Sequence, residues 1–248
     1  MPDRRVVVVT GSSTGLGAAL VAHFASRGDN VVLNYRSQQK MRAVMAPLES
    51  QGHAELVMPY KADVTHRAQV QEMFASCGQR FGASDVLIHC AGVNRDAPFI
   101  EMTDEHWDEV VDAHLKSAFI CCQEFVRQIP QGRGQILTLG AACGLQGRIN
   151  GANFCSAKGG IAALTKCLAR ELAPRIQVNC LVPSAVDTEE VRERYHLDSP
   201  DGLAKVLSGI PMKRVGALED VSRMVESILG ARFTTGATFF VNGGEFMH

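Results

Sequence analysis

Tyrosine is scarce in this 248-residue sequence: Tyr35, Tyr60 and Tyr195 are the only three, and the residues four places after them are Gln39, Val64 and Ser199. No phenol therefore shares a helix face with a lysine one turn onward. Charge imbalance is missing too. With 25 basic against 26 acidic residues, the chain has no long-range field to gather nucleic acid or an anionic membrane, and neither is an expected partner. No apolar run approaches the roughly 20 residues that span a bilayer, and the opening MPDRRVVVVTGSS is too short in its apolar part for a secretory segment. A soluble, cytoplasmic protein is the expectation. Eight cysteines include no C-x-x-C, and only Cys121 and Cys122 are adjacent. That scatter suggests neither a disulfide framework nor a metal site, so most of the thiols are expected to be buried small hydrophobes. No interior Pro/Ser/Gly-rich linker interrupts the chain, and residues 1–248 read as one domain.

What is present is alternation. Short β-branched runs are followed by segments of helical period: RVVVVT then GAALVAHFASRG; DNVVLNY then SQQKMRAVMAPLES; HAELVMPYKAD then THRAQVQEMFASCGQRFG. The pattern continues through DVLIHCAG, a helix after Thr103, QILTLG, a helix through Lys158, QVNCLVP, a helix at 217–229 and ATFFVNGG. Runs that are apolar throughout imply strands covered on both faces, and the alternation implies right-handed βαβ crossovers. The expected fold is α/β, a Rossmann-like doubly wound parallel sheet of about seven strands with helices on both faces. Ligands of such a sheet collect at the carboxyl ends of the strands, so the residues just after each run are the candidates.

After the first strand, Thr10-Gly11-Ser12-Ser13-Thr14-Gly15-Leu16-Gly17 opens directly into a helix. Glycines let backbone approach a pyrophosphate, and free N–H groups at a helix N-terminus favour its charge; a glycine cluster there is also ordinary turn chemistry. The second strand ends Asn34-Tyr35-Arg36-Ser37, without the acid that would bind a ribose 2′-hydroxyl. Arg36 suits a 2′-phosphate instead, which favours NADP(H) over NAD(H), unless it is merely a solvated surface charge.

Asp63-Val64, Ala91-Gly92, the helical Lys158 and Pro183…Thr188 follow that glycine turn in one order. Together these motifs resemble the short-chain dehydrogenase/reductase family, over essentially the whole chain to Val241-Asn242-Gly243-Gly244, and within it the bacterial β-ketoacyl-ACP reductases. The resemblance implies that Gly11, Ser13, Gly15, Leu16 and Gly17 hold the pyrophosphate and adenosine ribose, with Thr14, Tyr35 and Arg36 beside them. It implies that Asp63 and Val64 flank the adenine and that Cys90, Ala91 and Gly92 line the cleft. Lys158 would bind the nicotinamide ribose, Val186 and Thr188 would meet the carboxamide, and residues 189–215 would form the substrate loop. Three departures weaken the expected grip on NADP(H): His89-Cys90 replace Asn-Asn, Ser184 replaces Gly, and Thr14 stands where NADP users often have Arg.

The same resemblance places the proton-donating tyrosine at Phe154, the carbonyl-steadying serine at Ala141 and the relay asparagine at His114, so that of the catalytic tetrad only Lys158 remains. Phenylalanine has no ionisable proton and alanine no side-chain donor. General acid catalysis is worth about 10²–10⁴ in rate and an oxyanion-type donor about 10²–10³, so ordinary ketoreduction is expected to be nearly abolished. Plainer alternatives stand beside these assignments. Phe154 lies at the edge of the apolar stripe Ala157, Ile161, Leu164, Leu168 and Leu172, and Lys158 just beyond it is a position from which a lysine snorkels to water. His114 reads either as a hydrogen-bonded polar residue or as a replacement acid.

Two functions follow from the resemblance. One is a catalytically impaired subunit, binding NADP(H) weakly if at all, that forms a homo- or hetero-oligomer (dimer or tetramer). An intact ketoreductase paralogue would be its partner, in acyl-carrier-protein-linked fatty-acid or polyketide-type metabolism. The other is an NADPH-dependent oxidoreductase or dehydratase with a non-standard proton source, His114 or the loop residues Tyr195 and His196.

Overall fold

The computed structural model describes residues 4–129 and 131–247. Strand β1 (Val6–Thr10) is buried at every position. Val7 and Val9 enter the core beside Leu20 and Phe24, while Val6 and Val8 enter a second core beside Val70 and Phe74 on the opposite face of the sheet. That is the two-residue period of a strand with both faces covered, and each valine so buried contributes about 1.5–3 kcal/mol.

The chain continues through α1 (Gly15–Ser26), β2 (Asn30–Tyr35), α2 (Gln38–Ser50), β3 (Val57–Lys61), α3 (Arg67–Phe81), β4 (Val86–His89) and α4 (Asp104–Val111). Then come α5 (Ser117–Gln128), β5 (Gly134–Leu139), α6 (Cys143–Gln146), α7 (Ala152–Leu172), β6 (Ile176–Pro183), α8 (Glu189–Tyr195), α9 (Pro200–Gly209), α10 (Leu218–Gly230) and β7 (Thr238–Val241). The seven strands are all parallel, in the order β3-β2-β1-β4-β5-β6-β7. The doubly wound sheet expected from the alternation is thus the fold observed. Because the chain runs outward from β1 to β3 and then returns to β4 on the other side of β1, a crevice opens at the carboxyl ends of β1 and β4.

Helix starts around that crevice are fixed by side-chain caps. Ser37 accepts from Lys40 N–H, Thr188 from Val191 N–H and Ser199 from Gly202 N–H, with Pro200 preset in the first turn of α9. Each such cap is worth about 1 kcal/mol.

Three features depart from the sequence reading. The helix after Thr103 does not run uniformly: Asp112–Lys116 is a π-helical turn between α4 and α5, so one extra residue shifts the faces on either side. Only four of the eight thiols, Cys77, Cys121, Cys122 and Cys180, are buried, whereas Cys90, Cys143 and Cys155 are half-buried and Cys167 is exposed. Lys158 does not reach for water but is buried. Among the described residues, no helix is long and apolar enough to cross a membrane and no cluster of metal-ligating side chains occurs.

Candidate functional site

Every residue singled out above as a cofactor or tetrad position, except His89, lines one cleft of about 1950 Å³ at the carboxyl end of the sheet. Ordinary small-molecule pockets run to about 1,000 Å³, so this one has room for an extended ligand and a second molecule beside it. Its first wall is the turn after β1. Gly11 has φ +60°, and a Cβ there would lie 2.6 Å from the Ala91 backbone, so only glycine lets the two loops touch. Asn34 secures the turn by accepting from Gly11 N–H at 2.9 Å and donating to the Ala62 carbonyl at 2.9 Å. The first turn of α1 contains no acidic residue, which leaves its N–H groups available to an anion.

At the end of β2, Tyr35, Arg36 and Lys40 line the cleft, with Tyr35 held by a 2.9 Å bond to Gln38. Arg36 stands 3.7 Å from Asp63. Burial alone would raise the Asp63 carboxyl, but the Thr65 amide and hydroxyl and the charge of Arg36 bring it below the usual carboxylate range. Val64 continues this wall.

The floor beneath β4 is a chain of assigned hydrogen bonds. The Thr10 hydroxyl accepts from the Cys90 and Ala91 amides, so its own proton goes to His89 Nδ1 at 2.9 Å. His89 Nε2–H then donates to Ser117 Oγ at 3.1 Å, and Ser117 donates to the Ala113 carbonyl. Burial, with the charge of Lys158 nearby, pushes this imidazole down to about 3. His89 therefore ties β1, β4 and α5 together as a neutral ring behind the cleft.

The π turn presents His114 from the other side. Its Nε2 lies 3.1 Å from Val93 N and 2.8 Å from Val93 O, while its Nδ1 is buried with no partner among the described residues. A single neutral tautomer can use only one of those Val93 groups. Burial and the charge of Lys158 hold the ring well below the ordinary histidine range. A Cβ on Gly92 would lie 1.9 Å from His114 Cε1, so this glycine is what admits the ring.

Helix α7 supplies Phe154 and Lys158 one turn apart. The Lys158 amine donates to the Leu139 carbonyl at 2.7 Å and stands 5.6 Å from the centroid of the Phe154 ring. His114 meets the same ring edge-on at 5.0 Å, and the Arg148 guanidinium lies 4.7 Å from its centroid. Phe154 is thus half-buried and faces the cleft, rather than belonging to the sheet core. Desolvation lowers the Lys158 amine to about 8, partly offset by Cys180, Cys90, Cys143 and Glu190. Ala141 lies on the same wall, and Val186 and Thr188 close it beyond β6.

A family model described as enoyl-(acyl carrier protein) reductase matches residues 11–245. The chain belongs to the short-chain dehydrogenase/reductase family. The 3-oxoacyl-[acyl-carrier-protein] reductase FabG of Staphylococcus epidermidis is 34% identical over 245 residues, covering 97% of this chain and 98% of the relative. FabG of Escherichia coli is 31% identical over 249 residues, covering 99% and 98%. The crystal structure of a short-chain dehydrogenase/reductase from Brucella melitensis, described as a glucose/ribitol dehydrogenase, superposes with a TM-score of 0.90 at 28% identity, covering 98% of this chain and 97% of that one. A putative gluconate dehydrogenase from Agrobacterium tumefaciens gives 0.89 at 29% identity, covering 97% and 95%.

Around this short-chain dehydrogenase/reductase cleft, several side-chain pairings could not be read from the sequence. Asp96 accepts from Arg148 at 2.5 Å and from Arg194 at 3.2 Å, and Asn94 donates to Glu190 at 2.7 Å. These pairs strap the loop after β4 to the turn before α7 and to α8 across the mouth. Ser184 donates to Glu245, an exposed residue whose carboxyl is raised by partial desolvation, and both face the cleft. Tyr195 and His196 also line the cleft, Tyr195 largely exposed.

Proposed function

We propose that this chain is a short-chain dehydrogenase/reductase subunit that holds NADP(H) but has lost ordinary ketoreductase activity, and that it works by assembling with a partner. The observation that carries the reading is the pairing of Lys158 with the bare ring of Phe154. The only hydrogen bond of that amine among the described residues goes to the Leu139 carbonyl, and Tyr35, a tyrosine of the same cleft, bonds Gln38 instead.

The donor set fits the nucleotide. Gly15, Leu16 and Gly17 begin α1 free of acidic neighbours and would take the pyrophosphate; Arg36 and Lys40 would face a 2′-phosphate, and Asp63 and Val64 the adenine. Lys158 would meet the nicotinamide ribose, with Val186 and Thr188 at the carboxamide. When bound, NADPH supplies a hydride. The alkoxide formed by hydride transfer needs a proton at once, and neither Phe154 nor Ala141 has one to give or to share. His114 is no substitute, because a ring held neutral by burial between Val93 and Phe154 carries no acidic proton near neutral pH.

Similarity to 3-oxoacyl-[acyl-carrier-protein] reductases supports an acyl-carrier-linked setting and an intact paralogue as the partner. The half-buried run Phe239-Phe240-Val241 on the sheet's last strand is a surface such a partner would cover.

Titration of the purified protein with NADPH and NADH, followed by steady-state assay with an acetoacetyl thioester, tests the reading. Binding of NADPH without turnover is expected. Turnover at ordinary enzyme rates that disappears in His114→Ala would overturn it.

A further inference from the structure

The amine of Lys158 sits in surroundings unusual for a lysine. It lines the cleft yet is only 7% exposed, it makes one hydrogen bond, to the Leu139 carbonyl at 2.7 Å, and it forms no ion pair with a carboxylate among the described residues. Its neighbours come from every element packed around it. His89 and Cys90 stand at the end of β4, His114 on the π turn, Cys143 on α6, Cys180 on β6 and Glu190 on α8. The two imidazoles are held neutral, and burial pushes the Cys90 thiol up to about 12 and Cys143 to about 11, so neither thiol is a counter-anion near neutral pH. The Phe154 ring supplies an apolar wall where a hydroxyl would have engaged the amine.

We propose that Lys158 is a carbonyl-reactive nucleophile, and that the cleft captures small aldehydes or ketones as a Schiff base on its ε-nitrogen. A lysine desolvated beside apolar groups, with no carboxylate in ion-pair contact, keeps a usable fraction of free amine near neutral pH. The nitrogen lone pair forms the C–N bond as the carbonyl π pair moves to oxygen. A proton passes from nitrogen to that oxygen, and the C–O bond breaks as water leaves with one further proton from solvent. The product is a protonated C=N linkage and one water, with no oxidant or reductant consumed. This inference goes beyond the reading above, since it needs neither hydride nor bound nucleotide.

The test is reductive trapping of the full chain with acetaldehyde and sodium cyanoborohydride, mapped by peptide mass spectrometry. Lys158 at about 8 against an exposed lysine near 10.5 has far more free base at pH 7.5, and after the loss of nucleophilicity that accompanies lower basicity the ethyl group should appear about tenfold faster on Lys158 than on exposed Lys40 or Lys205. Labelling of Lys158 should rise with pH to a plateau above about 8, whereas a freely solvated lysine side chain would still be climbing at pH 9. In Lys158→Arg, which keeps the charge and loses the nucleophile, the fast adduct should vanish. An unlabelled Lys158, or one labelled no faster than Lys40, overturns the proposal. A parallel sample with NADPH reports on the nucleotide reading alone: adduct formation that NADPH fails to slow counts against nucleotide at Lys158 and leaves the Schiff-base site standing.

Discussion

The ammonium of Lys158 stands 5.6 Å from the centre of the Phe154 ring, one helical turn away on α7, and that ring can neither give nor take a proton. The same ring contacts the imidazole of His114 and the guanidinium of Arg148. A phenol at this position would sit among a cation, a neutral imidazole and a second cation, surroundings that favour its ionised form.

Restoring the missing groups is the direct check. Phe154→Tyr combined with Ala141→Ser is expected to produce measurable NADPH-dependent reduction of an acetoacetyl thioester, with either single variant lower by at least about tenfold. Continued silence of the double variant, with NADPH still bound in a fluorescence titration, would mean that the substrate half of the cleft has changed as well.

Arg36 and Lys40 should set nucleotide preference. Arg36→Asp puts a carboxylate where a 2′-phosphate would lie, so NADPH affinity should fall by about tenfold or more, at least about 1.4 kcal/mol, while NADH affinity holds or improves. Isothermal titration with both nucleotides measures the ratio.

His89 should make the fold sensitive to acid. Its native value of about 3 lies below the ordinary histidine value, so between pH 6.5 and 3 the unfolded chain binds a proton that the native chain refuses. Stability from this group is present above about pH 6.5 and is lost as pH falls, by at most about 5 kcal/mol. His89→Asn can still accept from Thr10 and donate to Ser117 without titrating, so urea midpoints of the variant should decline less between pH 7 and 4.

Gly92 and His114 should behave as a coupled pair. Gly92→Ala drives a methyl group into the ring and should cost about 1–3 kcal/mol, whereas Gly92→Ala in a His114→Ala background should cost far less. Denaturant unfolding of the four proteins of this cycle gives the coupling energy.

The parts of this site that could be read from the sequence are those dictated by one residue acting on the backbone. Gly11 announces a turn that must touch the next loop, and uninterrupted valine runs announce strands covered on both sides. A doubly wound sheet then fixes which loops share a cleft. What could not be read depends on contacts between distant segments. The π turn inserts one residue into a helix whose apolar pattern tolerates it, and only the fold shows that it carries His114 to Val93. His89 resembled a cleft residue by position, yet its two ring nitrogens are spent on Thr10 and Ser117 behind the wall. Asp96 meets Arg148 and Arg194 across separations of 52 and 98 residues, and no local pattern marks either pairing.

That shared carboxylate makes the mouth of the cleft a latch of three independently tethered segments. Arg148 before α7 and Arg194 on α8 both line the cleft and both hold Asp96, so a ligand reaching Phe154 either slips beneath the closed pair or waits for one arginine to let go. Dissolved ions compete with such contacts. Entry of an uncharged ligand should therefore quicken as ionic strength rises, opposite in sign to capture by charge attraction, and stopped-flow traces at several salt concentrations would register the latch as a speed limit.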